Sequence, residues 1–267
     1  MQKSLKEIEI ENRITQILTG KAALAASLVF SDEEIQALQD YANVVSIKRL
    51  GYNDHGPVHM RTAALNSLIM FDLLQSAGVK FNLEKEKIGN AEESKIAVLL
   101  SSLLHDIGMS VSRDNHEMIG VALAIPIVNR ILSKIYVHDI KKTTIIRSII
   151  VEGISGHMAN QKIHSLEAGL VLIGDGCDMA KGRARIPFLL TRDPHVGDIH
   201  KYSANSIQKV EIVKGEDKPI RILIEMTESV GFFQIEEVLF PKIASNPAKP
   251  YVELYGNVDG KNLKRYL

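Results

Sequence analysis

Histidine and aspartate stand side by side at His105–Asp106, inside the otherwise apolar stretch LLSSLLHDIG. Burying an imidazole and a carboxylate together in a greasy helix costs free energy unless both are engaged. Two arrangements engage them: a hydrogen-bonded pair, or a metal ion that takes neutral imidazole with ionised carboxylate and supplies the compensating charge. Further donors of the same chemistry lie around the doublet: His59 in HMRTAALNSL, His116 in NHEMIG, His157 at the end of ISGH and Asp175 in LIGDGCDMAK. Each stands at the start or end of a mostly apolar segment, from which bundled helices can aim side chains at one centre. Three of these positions have rivals. His55 is spaced i, i+4 from His59 and would share its helix face, although Gly56–Pro57 places the helix start between them and favours His59. Asp178 lies one helical turn beyond Asp175, and His164 competes with His157. Asp54 suits a helix cap or an orienter of an imidazole. His138, His195 and His200 read as surface histidines. Cys177, between two aspartates, has no reason for a lowered pKa, and no G-x-S-x-G or P-loop motif offers another mechanism.

The elements that must position these residues are mostly helical. Residues 1–48 carry helical periodicity, with Ser31 as N-cap and Glu34 completing a capping box. A long helix follows Pro57, apolar on more than one face and therefore buried. A second buried helix runs from Glu92 to a stop at Gly108. HEMIGVALAIPIVNRILSKI forms a third, kinked or broken near Pro126, KKTTIIRSIIVEGISGH a fourth, and SLEAGLVLIGDGCDMAK a fifth. After residue 205 the pattern changes. VEIVKG and IRILIEMTE read as a hairpin across GEDKP, ESVGFFQIEEVLFPKIAS as an amphipathic helix and KPYVELYGNV as a third strand. The expectation is a mainly α protein, with a helical bundle over 1–205 and a small β-β-α-β unit over 206–267.

Composition narrows the class. The chain has 267 residues, with 32 Lys+Arg against 32 Asp+Glu, so nothing suggests a nucleic-acid scaffold or a membrane-surface binder. Tryptophan is absent and aromatics are 5%, which disfavours stacking platforms for single strands. The one cysteine rules out an intramolecular disulfide and fits a reducing compartment. The N-terminal stretch lacks the apolar region of a signal peptide, and no uncharged apolar run approaches the roughly 18 residues needed to span a bilayer. A cytoplasmic location is expected.

Taken in order over residues 45–190, the donors resemble those of the HD-domain phosphohydrolases, whose ligands run His, then His-Asp, then a distant Asp on a helical bundle. His59, His105–Asp106 and Asp175 match that order, and His116 and His157 match the two histidines inserted in two-metal members. The resemblance implies an HD-type bundle with one metal on His59, His105, Asp106 and Asp175. A second would sit on Asp106, His116 and His157, with Asp106 bridging. It implies a phosphohydrolase that cleaves a phosphate mono- or diester, a nucleotide or related small molecule, with a metal-activated hydroxide. The donor set suits two divalent ions among Mn, Fe, Ni, Co or Zn. Lys181 and Arg183, after DGCDMA, are placed to hold the phosphate, with Arg113 and Arg185 as weaker candidates, and His55 is a candidate proton donor to the leaving group.

The chain departs from the cyclic-dinucleotide phosphodiesterases of that superfamily. Met109 stands where they carry a phosphate-contacting lysine, and their Gly-Tyr-Pro signature is missing. Two rival functions use the same residues: a di-iron HD-type oxygenase, and a regulatory or oligomerisation module whose metal is structural. The tail is expected to build a homo-oligomer through strand edges or the apolar helix GFFQIEEVLF.

Overall fold

The computed structural model describes residues 3–180 and 198–267. Its helices are α1 (Leu5–Ile17), α2 (Gly20–Phe30), α3 (Glu33–Asn43), α4 (Pro57–Ser76), α5 (Asn82–Lys85), α6 (Ala91–Leu104), α7 (His116–Ile135), α8 (Ile140–Gly156), α9 (Leu166–Gly176) and α10 (Asp198–Ser206). A π-helical stretch, Val44–Arg49, continues α3, and a 3-10 turn, Ile107–Ser110, follows α6. Four strands close the chain: β1 (Ile207–Lys214), β2 (Ile220–Met226), β3 (Val252–Val258) and β4 (Lys261–Arg265). The protein is mainly α with a small C-terminal sheet.

Local chemistry explains most helix limits. Pro57 opens α4 behind Gly56, where its missing N–H costs nothing. Asn90 caps α6 through a reciprocal bond pair with Glu93. The cap of α3 is Asp32, which accepts from the amides of Glu34 and Ile35, whereas Ser31 ends α2. A carboxylate at this position meets the positive helix N-terminus, which corrects the expected serine cap. The second correction concerns α6: it stops at Leu104, with His105 as its C-cap, rather than running to Gly108. Pro126 does not break α7. Ala122 and Pro126 both face solvent, where the carbonyl that the proline leaves without its N–H is open to solvation.

The tail is β-β-α-β-β, one strand more than the pattern suggested. β1 and β2 pair antiparallel, β2 and β3 parallel, and β3 and β4 antiparallel, in the order β1-β2-β3-β4. The added strand follows Asp259 and Gly260, both at positive φ, a turn that asparagine, aspartate and glycine tolerate best. β2 alternates with Ile220, Ile222, Ile224 and Met226 inward. These residues join Phe71 and Leu74 of α4, Leu170 and Ile173 of α9, and Leu239 and Ile243 of the 232–244 helical segment in one buried cluster. Apolar packing therefore continues from bundle to sheet across the change at Ile207. The apolar side of GFFQIEEVLF is spent in that cluster.

α7 is the one described helix long and apolar enough to cross a membrane by length and composition. Val121, Ala124, Ile127, Val128 and Ile131 nevertheless lie in the bundle core.

Two features set the helix ends against one another. Gly108 packs so closely on α7 that a Cβ there would lie 1.9 Å from His116 O and 2.6 Å from Gly120 N. Both obstacles are backbone, so only glycine lets the turn after α6 meet the start of α7. Arg61, 2% exposed, binds α1, α3 and α4 together. Its Nε donates to Glu11 Oε1 at 2.8 Å, and its Nη1 to Gln39 Oε1 at 2.7 Å and to Pro57 O at 3.1 Å. Gln39 Nε2 in turn donates to Leu103 O at 2.7 Å, taking one of the unsatisfied carbonyls at the end of α6. Replacing Arg61 with methionine keeps much of the volume but strands these acceptors. We expect a loss of about 3–5 kcal/mol in urea unfolding, and a loss under about 1 kcal/mol would show that the network does not hold these helices together.

Candidate metal centre

The helix ends converge. His59 is in the first turn of α4, His105 caps the C-terminus of α6, His116 opens α7, His157 caps α8, and Asp175 lies in the last turn of α9. Asp106 follows His105 directly. All six are buried, the four histidines at 0–1% exposure and the aspartates at 2% and 5%.

Helix termination itself orients the rings. The last carbonyls of a helix lack intrahelical donors. His105 Nδ1 donates to Ser102 O at 2.8 Å, and His157 Nδ1 donates to Ile154 O at 2.6 Å, each reaching back three residues. His116 makes the same bond to Arg113 O at 2.8 Å in the preceding loop. A carbonyl only accepts, so each Nδ1 carries its proton and each Nε2 faces inward. His59 reaches the same state through a carboxylate: its Nδ1 donates to Asp178 Oδ2 at 2.7 Å. Asp178 thus lies behind the ring rather than among the inward-facing donors.

Those donors form two sets. His59 Nε2 lies 3.1 Å from His105 Nε2, 3.2 Å from Asp106 Oδ2 and 3.2 Å from Asp175 Oδ1, while His105 Nε2 is 3.3 Å and 3.7 Å from the same two oxygens. In the second set, His116 Nε2 and His157 Nε2 are 3.1 Å apart, and each is 3.3 Å from Asp106 Oδ1. Asp106 therefore turns one oxygen to each pair. Two neutral imidazole lone pairs at 3.1 Å repel unless a proton or cation lies between them. A cation bound at about 2.1 Å sets tetrahedral neighbours about 3.4 Å apart and octahedral ones about 3.0 Å apart. The observed spacings suit either, and the groups His59–His105–Asp106 and Asp106–His116–His157 could each hold a metal ion.

Electrostatics agree with a site built for positive charge. Burial opposes a charged His105, yet Asp106 and Asp175 overcome it and push the ring up to about 9. Burial would also raise both carboxyls, but His105 and His55 hold Asp106, and Lys242 with His105 holds Asp175, well below the usual carboxylate range. Burial lowers His157, keeping it neutral and available as a donor. Cys177 is raised by burial and by Asp175, which removes it as a nucleophile.

Other candidates fall outside the two sets. His55 is half-buried beside His59, with ring centroids 5.8 Å apart, and its Nδ1 donates to Asn53 O at 2.7 Å. Asp54 accepts from Gly56 N at 2.7 Å, bracing the turn that precedes α4. His164 is exposed. Arg113 lies over the Tyr52 ring, 5.7 Å from its centroid. Lys181, Arg183, Arg185 and His195 lie outside the described residues, as does the side chain of His200. Lys242 is the residue that sequence reasoning missed. It comes from the tail and donates to Asp175 Oδ2 and, at 3.1 Å, to His157 O. Nothing in FPKIAS sets it apart from an ordinary surface lysine.

Over 242 residues the chain is 36% identical to the uncharacterized protein MJ1020 of Methanocaldococcus jannaschii, an alignment that covers 91% of each chain. No family model and no solved structure matches the chain.

Without a metal, the raised pKa of His105 leaves that ring protonated at neutral pH, and a bound cation must take the proton's place. Pairing of the protonated His105 with Asp106 and Asp175 stabilises the metal-free fold fully below pH 6.5, the ordinary imidazole value, as long as both carboxyls stay ionised, and the contribution is lost as pH rises through about 9. Metal titrations at pH 7.5 in buffers of different ionisation enthalpy should therefore show release of about one proton. Heats independent of the buffer would contradict the assignment.

Proposed function

The chain belongs to the family of Methanocaldococcus jannaschii MJ1020, and for it we propose a metal-dependent phosphohydrolase activity of the HD type, on a phosphate mono- or diester of a nucleotide or related small molecule. The observation that supports this most is the placing of Asp106, whose two oxygens each face a separate pair of inward-pointing imidazole nitrogens. A bridging carboxylate between two nitrogen-rich sites is the ligand arrangement of a paired-metal centre. His59, His105, Asp106 and Asp175 would hold one divalent ion, and Asp106, His116 and His157 the other. When bound, such a pair supplies Lewis-acid polarisation of a phosphoryl group and lowers the pKa of a nearby water.

The protein's own side chains do the rest. The imidazole Nδ1 bonds to backbone carbonyls and to Asp178 keep the donor atoms aimed without reorganisation. His55 donates its Nδ1 proton to Asn53 O, and we assign it, in its imidazolium form, to protonate the leaving oxygen from Nε2. Lys181 and Arg183, which follow Asp175 closely in the sequence, are assigned to the phosphate oxygens. The lone buried Cys177 accords with work in a reducing compartment such as the cytoplasm.

Metal analysis of the purified protein by mass spectrometry, beside His105→Ala and Asp106→Ala, tests the reading. We expect close to two transition-metal ions per chain, reduced in both variants. Phosphate release from a panel of nucleotides and phosphate esters should fall to background in Asp106→Ala. Wild-type protein that binds no added Mn, Fe, Ni, Co or Zn would end the metal reading. Iron-dependent oxygen uptake without phosphate release would move the chain to oxidative chemistry.

A further inference from the structure

Lys242 stands in an unusual place for an ammonium. It lies in the helical turn Phe240–Ala244 of the tail, between the buried Leu239 and Ile243. Its side chain is 13% exposed and donates to Asp175 Oδ2 and to His157 O, so it touches one residue from each donor set. The seat is shaped for it. A Cβ on Gly176 would come within 3.1 Å of Lys242 Cδ and 3.0 Å of Leu239 Cδ1, so the absent side chain at 176 leaves room for the lysine stem. Leu239 and Ile243 also belong to the shared apolar cluster, so the turn cannot withdraw the lysine without exposing them.

A positive charge beside a cation site opposes metal binding by plain Coulomb repulsion. Metal affinity therefore does not explain it, but its effect on Asp175 does. With Oδ2 occupied by the ammonium, the carboxylate presents only Oδ1 to His59 and His105. We infer that Lys242 is a positioning residue of the metal centre, supplied by the C-terminal unit, which reserves Asp175 Oδ2 and keeps that ligand single-toothed. The sheet and its connecting helix are then part of the metal centre's architecture, acting through Asp175 rather than on substrate. This inference rests on the metal reading above.

Cobalt(II) is the probe, because the intensity of its visible d–d absorption falls as coordination number rises. The full chain is loaded with Co(II), its stoichiometry is measured, and its spectrum is compared with those of Lys242→Met, Lys242→Gln and Lys242→Arg. With Oδ2 released, Lys242→Met and Lys242→Gln should bind as many ions as wild type but lose d–d intensity, and Lys242→Arg should retain it. Lys242→Gln carries the test if the methionine variant does not fold. Full loading with an unchanged spectrum in either neutral variant overturns the positioning role and leaves the metal reading standing. A spectrum altered as much in Lys242→Arg as in Lys242→Met makes the lysine a packing residue and also overturns it. Wild-type protein that takes up no Co(II) or other transition metal sinks both readings together.

Discussion

Imidazoles can crowd around a buried carboxylate only if each keeps its own proton in a defined place. In this protein the ends of the helices do that work. A terminating helix leaves carbonyls without donors, and His105 and His157 give their Nδ1 protons to such carbonyls three residues earlier, while His116 gives its own to Arg113 O in the loop before α7. The fourth, His59, gives its proton to Asp178. The hydrogen-bonding deficit of one structural level becomes the ring orientation of the next. Four Nε2 atoms then point at Asp106, an arrangement that repels itself unless a proton or a cation lies among them.

Holding those ends in place takes contacts on several scales. Gly108 lets two backbones touch, bringing the Asp106 turn against the start of α7. Arg61 and Gln39 link α1, α3 and α4 to Leu103, two residues before His105. The apolar cluster shared by α4, α9 and the sheet fixes the helices that carry His59 and Asp175. Dispersion and burial in that cluster outweigh any single polar contact in total. The directional bonds decide which of many compact arrangements is adopted.

Much of this was legible in the residues. The helical period, Pro57 at a helix start and the hairpin across GEDKP are local patterns, and local patterns survive into the structure. The donors His59, His105, Asp106, His116, His157 and Asp175 could be singled out because acid and imidazole are rare next to long apolar runs. What resisted reading depended on distance. Asp175 and Asp178 have the same chemistry one turn apart, and only the packing of α9 on α4 puts one before the His59 ring and the other behind it. Lys242 reaches Asp175 across a sheet crossover that no sequence period encodes. β4 was hidden by its lysines, which suit an outer strand and mask its pairing.

The bonds from His105 and His157 to helix-end carbonyls bear on how such a centre can change through descent. A substitution at either position removes an inward-facing imidazole donor and at the same moment reopens an unsatisfied carbonyl beneath the surface. Chemistry and folding are exposed to selection at one codon. Gradual drift, in which a ligand is lost first and the scaffold adjusts later, has to cross a stability loss as well as a functional one. Such a centre is more readily repurposed with its histidines intact than dismantled one residue at a time.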